Sequence, residues 1–360
     1  MISIPSTEKR WARRLGNALA TPFTPEDYLA LFNPLHSARE TRARVRQVVR
    51  ETDRAVTLQL QPNRLWRGHR AGQHVLLGVE INGVRRQRCF SLSSAPSDPY
   101  PCVSIKANGQ GGVSDHLVRH ARAGDLLVLG EASGDFVLPG PAPERLLLVS
   151  AGSGLTPVHS IAKELLASNQ ELNLVWFHFE RRHQDLMLAS SLRDLSADPR
   201  LDLRVVLSGE PPRAGDLQGR LDEHWLTEQQ VDAEERTLLT CGPAGFLDTV
   251  IGWHQRHGRA PLLHERFQAA PVSAGNGGRV VFARSGGEMR TDGSVSLLEA
   301  AEQAGLKPQH GCRMGICHTC KCQVKRGRVR DLNSGESREL NNEAIRICIH
   351  AAEGDVEMDL

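Results

Sequence analysis

Between Arg42 and Leu138 apolar and polar side chains alternate with period two: Val45, Val49, Val56, Leu58 and Leu60 come first, then Val75 to Val79 and Cys102 to Ile105. A strand turns successive side chains to opposite faces, so the pattern predicts short strands with one buried face. Turn residues at Asp53, Asn82-Gly83 and Asn108-Gly109 punctuate them, which predicts a small antiparallel barrel. From residue 144 to about 265 the period changes. Apolar runs at Leu146 to Val149, Leu172 to Phe177, Leu203 to Leu207 and Leu238 to Thr240 alternate with helical patterns around Val158-Leu166, Leu186-Leu195 and Ala244-His254. Strand and helix in alternation outline a doubly wound parallel sheet.

Upstream, Trp11, Leu15, Ala18 and Leu19 recur at helical spacing. A second helix is expected from Thr24, with Pro25 in its first position and Tyr28, Leu31 and Phe32 on its apolar face. This pair either packs on the main body or offers a docking surface to a partner or a membrane face. Downstream, Gln268 to Gly278 is rich in Ala, Gly, Ser and Pro and reads as a flexible linker. Strand Val280-Ala283, helix Ser296-Ala304 and strand Cys320-Val324 then frame a loop of cysteines. The expected division is a helical extension over 1–40, a barrel over 41–143, an α/β domain over 144–267, a linker over 268–278 and a small α+β domain over 279–360.

Cysteine spacing adds the first chemistry. Cys312, Cys317, Cys320 and Cys348 follow C-x4-C-x2-C-x27-C, the ligand spacing of a plant-type [2Fe–2S] cluster. Gly311 and Gly315 let the loop turn tightly enough for its N–H groups to face sulfur. A zinc ribbon would pair two C-x2-C knuckles, and only one is present. His318 does not make a Rieske centre, which replaces a cysteine pair with two histidines. Cys322 reads as a strand thiol off the cluster.

Composition mostly excludes. The net charge of +2, from 44 basic and 42 acidic residues, gives no case for nucleic acid, and no basic stretch is interleaved with aromatics. No apolar run is long enough to span a membrane, and Met1 to Arg10 lacks the apolar core of a signal peptide. The scattered Cys89, Cys102 and Cys241 fit reduced thiols in a cytoplasmic protein.

Two segments of the barrel, Arg88-Cys89-Phe90-Ser91 and Gly111-Gly112-Val113-Ser114, resemble the flavin signatures of the ferredoxin-NADP reductase superfamily. The resemblance implies a flavin held by Arg88, Phe90, Ser91, Gly111, Gly112, Val113 and Ser114, with Lys106 as a further candidate. A guanidinium pairs phosphate, an aromatic face stacks on the isoalloxazine, a hydroxyl reaches flavin N5, and a glycine-led helix start presents N–H groups to the pyrophosphate. Phe90 stands where the family has tyrosine and keeps the stacking face. FAD is preferred over FMN, because the second segment is more similar to FAD-binding relatives.

Val149-Ser150-Ala151-Gly152-Ser153-Gly154-Leu155-Thr156-Pro157, between a strand and a helix, resembles the same superfamily's nicotinamide-nucleotide loop, with Cys241-Gly242-Pro243 following. By that resemblance Gly152, Gly154, Thr156, Pro157, Cys241, Gly242 and Pro243 hold the nucleotide, and Ser91, Thr156, Cys241 and Glu265 flank the hydride transfer. Glu265 and Phe267 are flavin-side neighbours or packing at the domain joint. Arg181, Arg182 and Ser208, with Arg213 beyond, favour NADPH over NADH, since a 2'-phosphate needs cations.

The fold class implied is multidomain: an antiparallel β-barrel flavin domain, an α/β doubly wound nucleotide domain and an α+β β-grasp ferredoxin domain. Such a protein passes hydride from NAD(P)H to flavin, then single electrons through the cluster to a separate acceptor. The extension with Trp11, Pro25, Glu26, Asp27, Tyr28, Leu29 and Phe32-Asn33-Pro34-Leu35 resembles reductases serving membrane-bound fatty acyl-CoA desaturases. That implies a cytoplasmic protein, or one peripheral at the inner membrane face through its partner. The alternatives are the reductase component of a Rieske-type or other multicomponent oxygenase, and a redox-sensing iron–sulfur flavoprotein.

Overall fold

The computed structural model describes residues 32–37, 40–81, 83–109, 112–168, 171–229, 232, 234–267, 275–311, 315, 319–332 and 334–360. The expected N-terminal helices up to Leu31, Asn82, Gly111, most of the expected linker, Cys312 and Cys317 lie outside these residues.

Six strands make the first sheet: β1 (Arg42–Thr52), β2 (Ala55–Pro62), β3 (His74–Ile81), β4 (Val84–Ser91), β5 (Cys102–Lys106) and β6 (Leu126–Leu129), in the order β4-β3-β6-β1-β2-β5. Its pairs are antiparallel, and a bridge from Leu92 to Val103 draws the two edges together. Val45, Leu58, Leu60, Val75 and Leu77 fill the interior, and helix α1 (Val113–His120) adds Val113, Leu117 and Val118 to it. Val49 breaks the expected alternation and is exposed. A register shift between Val45 and Gln47 reverses the inward phase, so Val48 packs on the core instead.

The second sheet is parallel throughout. It holds β7 (Arg145–Ala151), β8 (Asn173–Glu180), β9 (Leu201–Leu207), β10 (Leu217–Gln218), β11 (Thr237–Gly242) and β12 (Leu262–Arg266), ordered β10-β9-β8-β7-β11-β12. Helices α2 (Leu155–Ala167) and α3 (Ala189–Leu195) cover one face, and α4 (Glu223–Glu228) and α5 (Ala244–His257) the other. The expected helix from Leu186 begins later than predicted. Leu188 takes a left-handed backbone with φ 56°, and its N–H donates to Glu51 Oε2 of the barrel at 3.0 Å. That conformation is costly for leucine and ends the helix in the N-terminal direction. Pro157, expected to open its helix, sits third, where its missing N–H costs nothing.

The third sheet comprises β13 (Gly278–Phe282), β14 (Gly287–Thr291), β15 (Lys321–Asp331), β16 (Ser337–Arg346) and β17 (His350–Met358), ordered β14-β13-β17-β15-β16. Helix α6 (Leu297–Gln303) packs Leu297, Leu298 and Ala301 against Val280 and Phe282. Its start is fixed by a capping box between Ser296 and Glu299. Ordered pairing starts inside the segment expected to be linker: Gly277 bridges Glu353, and Gly278 pairs with Thr291.

Candidate functional site

Helix α2 ties the barrel to the parallel sheet. His159 Nδ1 lies 2.7 Å from the Ser93 carbonyl and Nε2 lies 2.7 Å from Ser191 Oγ. Burial pushes this imidazole down to about 4, so it is neutral at physiological pH; the carbonyl can only accept, so the proton is on Nδ1. The next residue, Ser160, donates its Oγ to the Ser94 carbonyl at 2.6 Å, and one turn on Lys163 pairs with Asp98 at 2.7 Å.

On the sheet face toward the barrel, apolar residues give way to a polar row. His178, Ser150, Cys241 and Glu265 are register partners across β8, β7, β11 and β12, and all are buried. Ser150 Oγ lies 2.9 Å from His178 Nδ1 and accepts from Trp176 Nε1 at 2.9 Å. Burial, with Lys106 adding to it, holds His178 down to about 3. Burial, then the nearby Glu265, raises the Cys241 thiol well above its usual range, so it stays protonated.

Above this row lies a cavity of about 160 Å³ shared by both units. The barrel contributes His74, Arg88, Phe90, Ser91 and Lys106; α1 adds Ser114; the parallel sheet and its loops add Ser153, Thr156, Glu265 and Phe267. Glu265 faces two barrel residues, with Oε2 accepting from Ser91 Oγ at 3.4 Å and Oε1 lying 3.4 Å from His74 Nδ1. His74 Nε2 continues to Ser133 Oγ at 3.2 Å. Lys106 spans the joint differently: its ammonium donates to Glu180 Oε2 at 2.7 Å and to the Asp185 carbonyl at 3.2 Å. Arg88 has no ion-pair partner among the described residues, so an uncompensated cation borders the cavity.

The remaining predicted residues sort by distance from this cavity. Gly152 turns at φ 53°, and Gly154 is pressed onto β11: an added Cβ would lie 2.1 Å from the Cys241 carbonyl oxygen. Thr156 donates to the Ser153 carbonyl at 3.0 Å and closes that turn. Gly112 precedes α1 with no side chain capping it, which leaves the helix N–H groups open. Val113, Pro157 and Cys241 are buried behind the wall, and Gly242 and Pro243 lead into α5. Arg181, Arg182 and Ser208 are exposed together at the ends of β8 and β9, joined by the Gly209 N–H donating to the Arg181 carbonyl at 2.9 Å.

In the third sheet Cys320 and Cys348 are buried, with sulfurs 3.0 Å apart. The Gly315 N–H donates to Cys348 Sγ at 3.2 Å. Two converging soft ligands and an amide aimed at sulfur fit a thiolate-held iron–sulfur centre. The cavity fits a flavin: a free guanidinium, an aromatic face, a hydroxyl and an uncapped helix start converge there. Sequence reasoning missed His74 and His159. Both sit within apolar patterns that read as core.

A family model of the oxidoreductase NAD-binding domain matches residues 148–251, and one of the 2Fe-2S iron-sulfur cluster binding domain matches residues 283–353. The chain is 38% identical over 358 residues to an NADPH oxidoreductase of Mycobacterium tuberculosis (strain ATCC 25618 / H37Rv), covering 97% of this chain and 92% of the relative. It is 30% identical over 288 residues to a glycine betaine monooxygenase reductase subunit of Chromohalobacter salexigens, covering 72% and 77% of the two. Phthalate dioxygenase reductase superposes with a TM-score of 0.60 at 20% identity, covering 89% of this chain and 97% of that one, which bears on the fold. The chain belongs to the ferredoxin-NADP reductase-like flavoproteins that carry a [2Fe–2S] ferredoxin domain. It is an oxidoreductase that uses NAD(P)H, a flavin and an iron–sulfur cluster. Among the described residues no helix is long and apolar enough to cross a membrane.

Proposed function

We propose that this chain oxidises NADPH at the cavity between barrel and parallel sheet and exports the electrons, one at a time, to a separate oxygen-activating protein. The units concerned are 41–143 for flavin, 144–267 for nucleotide and 279–360 for the cluster. The observation that carries the reading is the cavity itself, which a barrel cation, Arg88, and a sheet carboxylate, Glu265, line together with Ser153 and Thr156 of the glycine turn. When bound, FAD accepts the hydride pair and the cluster carries single electrons.

The chain's own residues do the rest. Arg88 binds a flavin phosphate, Phe90 stacks, and Ser91 presents its hydroxyl to the ring, braced by Glu265. Glu265, which faces Ser91 Oγ and lies 3.4 Å from His74 Nδ1, is the carboxylate placed to take up or release a proton beside the ring. Gly154 lets the nucleotide turn lie on the Cys241 backbone, which brings the nicotinamide site to the polar row. NADPH is favoured because Glu180, the carboxylate ending the second strand, is tied to Lys106 and to the Arg181 N–H at 2.9 Å and cannot serve a ribose diol. Arg181 and Arg182 are then left for a 2'-phosphate.

For the acceptor, relatives named as reductase subunits of monooxygenases support an oxygenase-type partner. The N-terminal resemblance favours a membrane fatty acyl-CoA desaturase. The test is to supply NADPH and purified protein to membranes containing such a desaturase and acyl-CoA, and to look for a new double bond. Turnover with a Rieske oxygenase and none with the desaturase would replace this partner; no NADPH oxidation with any acceptor would refute the whole reading.

A further inference from the structure

Gly315 lies inside the cysteine loop with its N–H and its carbonyl both held. Its N–H donates to Cys348 Sγ at 3.2 Å, while its carbonyl accepts from Arg346 Nη1. Its φ is 76°, which glycine adopts without strain, and an added Cβ would lie 2.6 Å from Ile349 Cδ1, so only glycine fits here. Arg346 ends β16 opposite Lys321, the residue after Cys320. The Arg346 carbonyl lies 2.9 Å from His350 Nδ1 and accepts from the Ile349 N–H at 3.2 Å. That closes the backbone turn carrying Cys348. No carboxylate pairs with the Arg346 guanidinium among the described residues, and the side chain is half-buried.

We propose that Arg346 is a positioning residue that sets the reduction potential of the [2Fe–2S] centre. It acts in two ways. Through the Gly315 carbonyl it keeps the neighbouring N–H on the Cys348 sulfur, and an amide donated to a thiolate ligand stabilises the more negative, reduced cluster. Its unpaired positive charge acts in the same direction, because the cluster gains one negative charge with each electron it accepts and the site is screened from water. Both effects raise the potential and so draw single electrons off a reduced flavin. The inference rests on Cys320 and Cys348 being cluster ligands.

The test is an anaerobic redox titration of the full-length holoprotein, with the cluster followed by electron paramagnetic resonance and the flavin by absorbance. Arg346→Gln is expected to shift the cluster equilibrium toward the oxidised form by about tenfold or more, which is 59 mV for a one-electron couple. The flavin couple is expected to stay where it is. Arg346→Lys keeps the charge but not the planar fork, and is expected to fall between Arg346→Gln and the parent. A cluster equilibrium within about twofold of the parent in Arg346→Gln overturns the proposal, and equal shifts in both variants overturn its charge component. Should Arg346→Gln assemble no cluster, Arg346→Lys decides alone, and a parental midpoint there overturns the proposal. A parent protein without a cluster signal would instead refute the ligand assignment, so the two failures are distinguishable.

Discussion

Gly154→Ala tests how closely the nucleotide turn must approach β11. The new Cβ would stand 2.1 Å from the Cys241 carbonyl oxygen, 2.4 Å from its carbonyl carbon and 2.8 Å from the Gly242 nitrogen. All three are backbone atoms, so no side-chain rotation relieves the overlap. Restoring ordinary contact needs a displacement of about 1 Å between the turn and the strand, and overpacking of this kind costs roughly 1–3 kcal/mol. A misplacement of about 1 Å in a hydride-transfer geometry costs roughly 100-fold in rate, or about 2.7 kcal/mol, which is the same size. In stopped-flow reduction of the bound flavin by NADPH, kcat/KM is expected to fall about 100-fold, with flavin content and reduction by dithionite unchanged. Gly245→Ala is the control, since nothing lies within 4 Å of its added Cβ, and it is expected to match the parent. A Gly154→Ala protein within about threefold of the parent would refute the close-approach argument.

Lys106→Met strands Glu180 with side chains 21% and 8% exposed in the parent pair, so it is expected to cost about 3 kcal/mol and roughly 6–12 °C in Tm. The Lys106→Met, Glu180→Gln double variant should lose less than the sum, and strict additivity in the melting data would count against the pair. Stability should also fall with acid: His159 and His178, held to about 4 and about 3 by burial, are neutral when folded but protonate near 6.5 when unfolded. Their contribution is complete above pH 6.5 and shrinks as pH falls, by about 4 kcal/mol in total at pH 5, and denaturant melts that are flat from pH 7 to pH 5 would exclude it. Cys348→Ser is expected to abolish the iron–sulfur absorbance and paramagnetic signal while NADPH still reduces the flavin; a variant that keeps a normal cluster would remove Cys348 from the ligand set.

Patterns with a strong period were legible, and those carried by few apolar residues were not. The leucine runs of β7 and β11 announce themselves because both faces of a parallel strand are buried. β16 escapes notice because only Leu340 and Ile345 of its ten residues are buried, and β4 because Arg85 to Arg88 read as surface. The Val45 bulge likewise has no signature in composition. At the site, glycine motifs and cysteine spacing named chain segments that the fold brings to one cavity or one loop. A side chain whose meaning lies in a partner far along the chain stayed silent: His74 has no signature of its own and stands 3.4 Å from Glu265 only in the fold.

The polar row explains why the cavity has the electrostatics it does. Four polar side chains buried in one register row would be destabilising if several carried charge. His178 is kept neutral by burial and by its position near Lys106, Cys241 is kept as a thiol, and Ser150 Oγ meets His178 Nδ1 and Trp176 Nε1. Lys106 is neutralised by Glu180 and so contributes little net charge to the cavity. What remains facing the open space is Arg88 with His74 from the barrel and Glu265 from the parallel sheet. The cationic side of the cavity is therefore the barrel side, where an anionic phosphate would be drawn, and the Glu265 carboxylate stands on the opposite wall, 3.4 Å from Ser91 Oγ. The two units must therefore be docked for the site to exist, and the His159, Ser160 and Lys163 contacts of α2 are what hold them so.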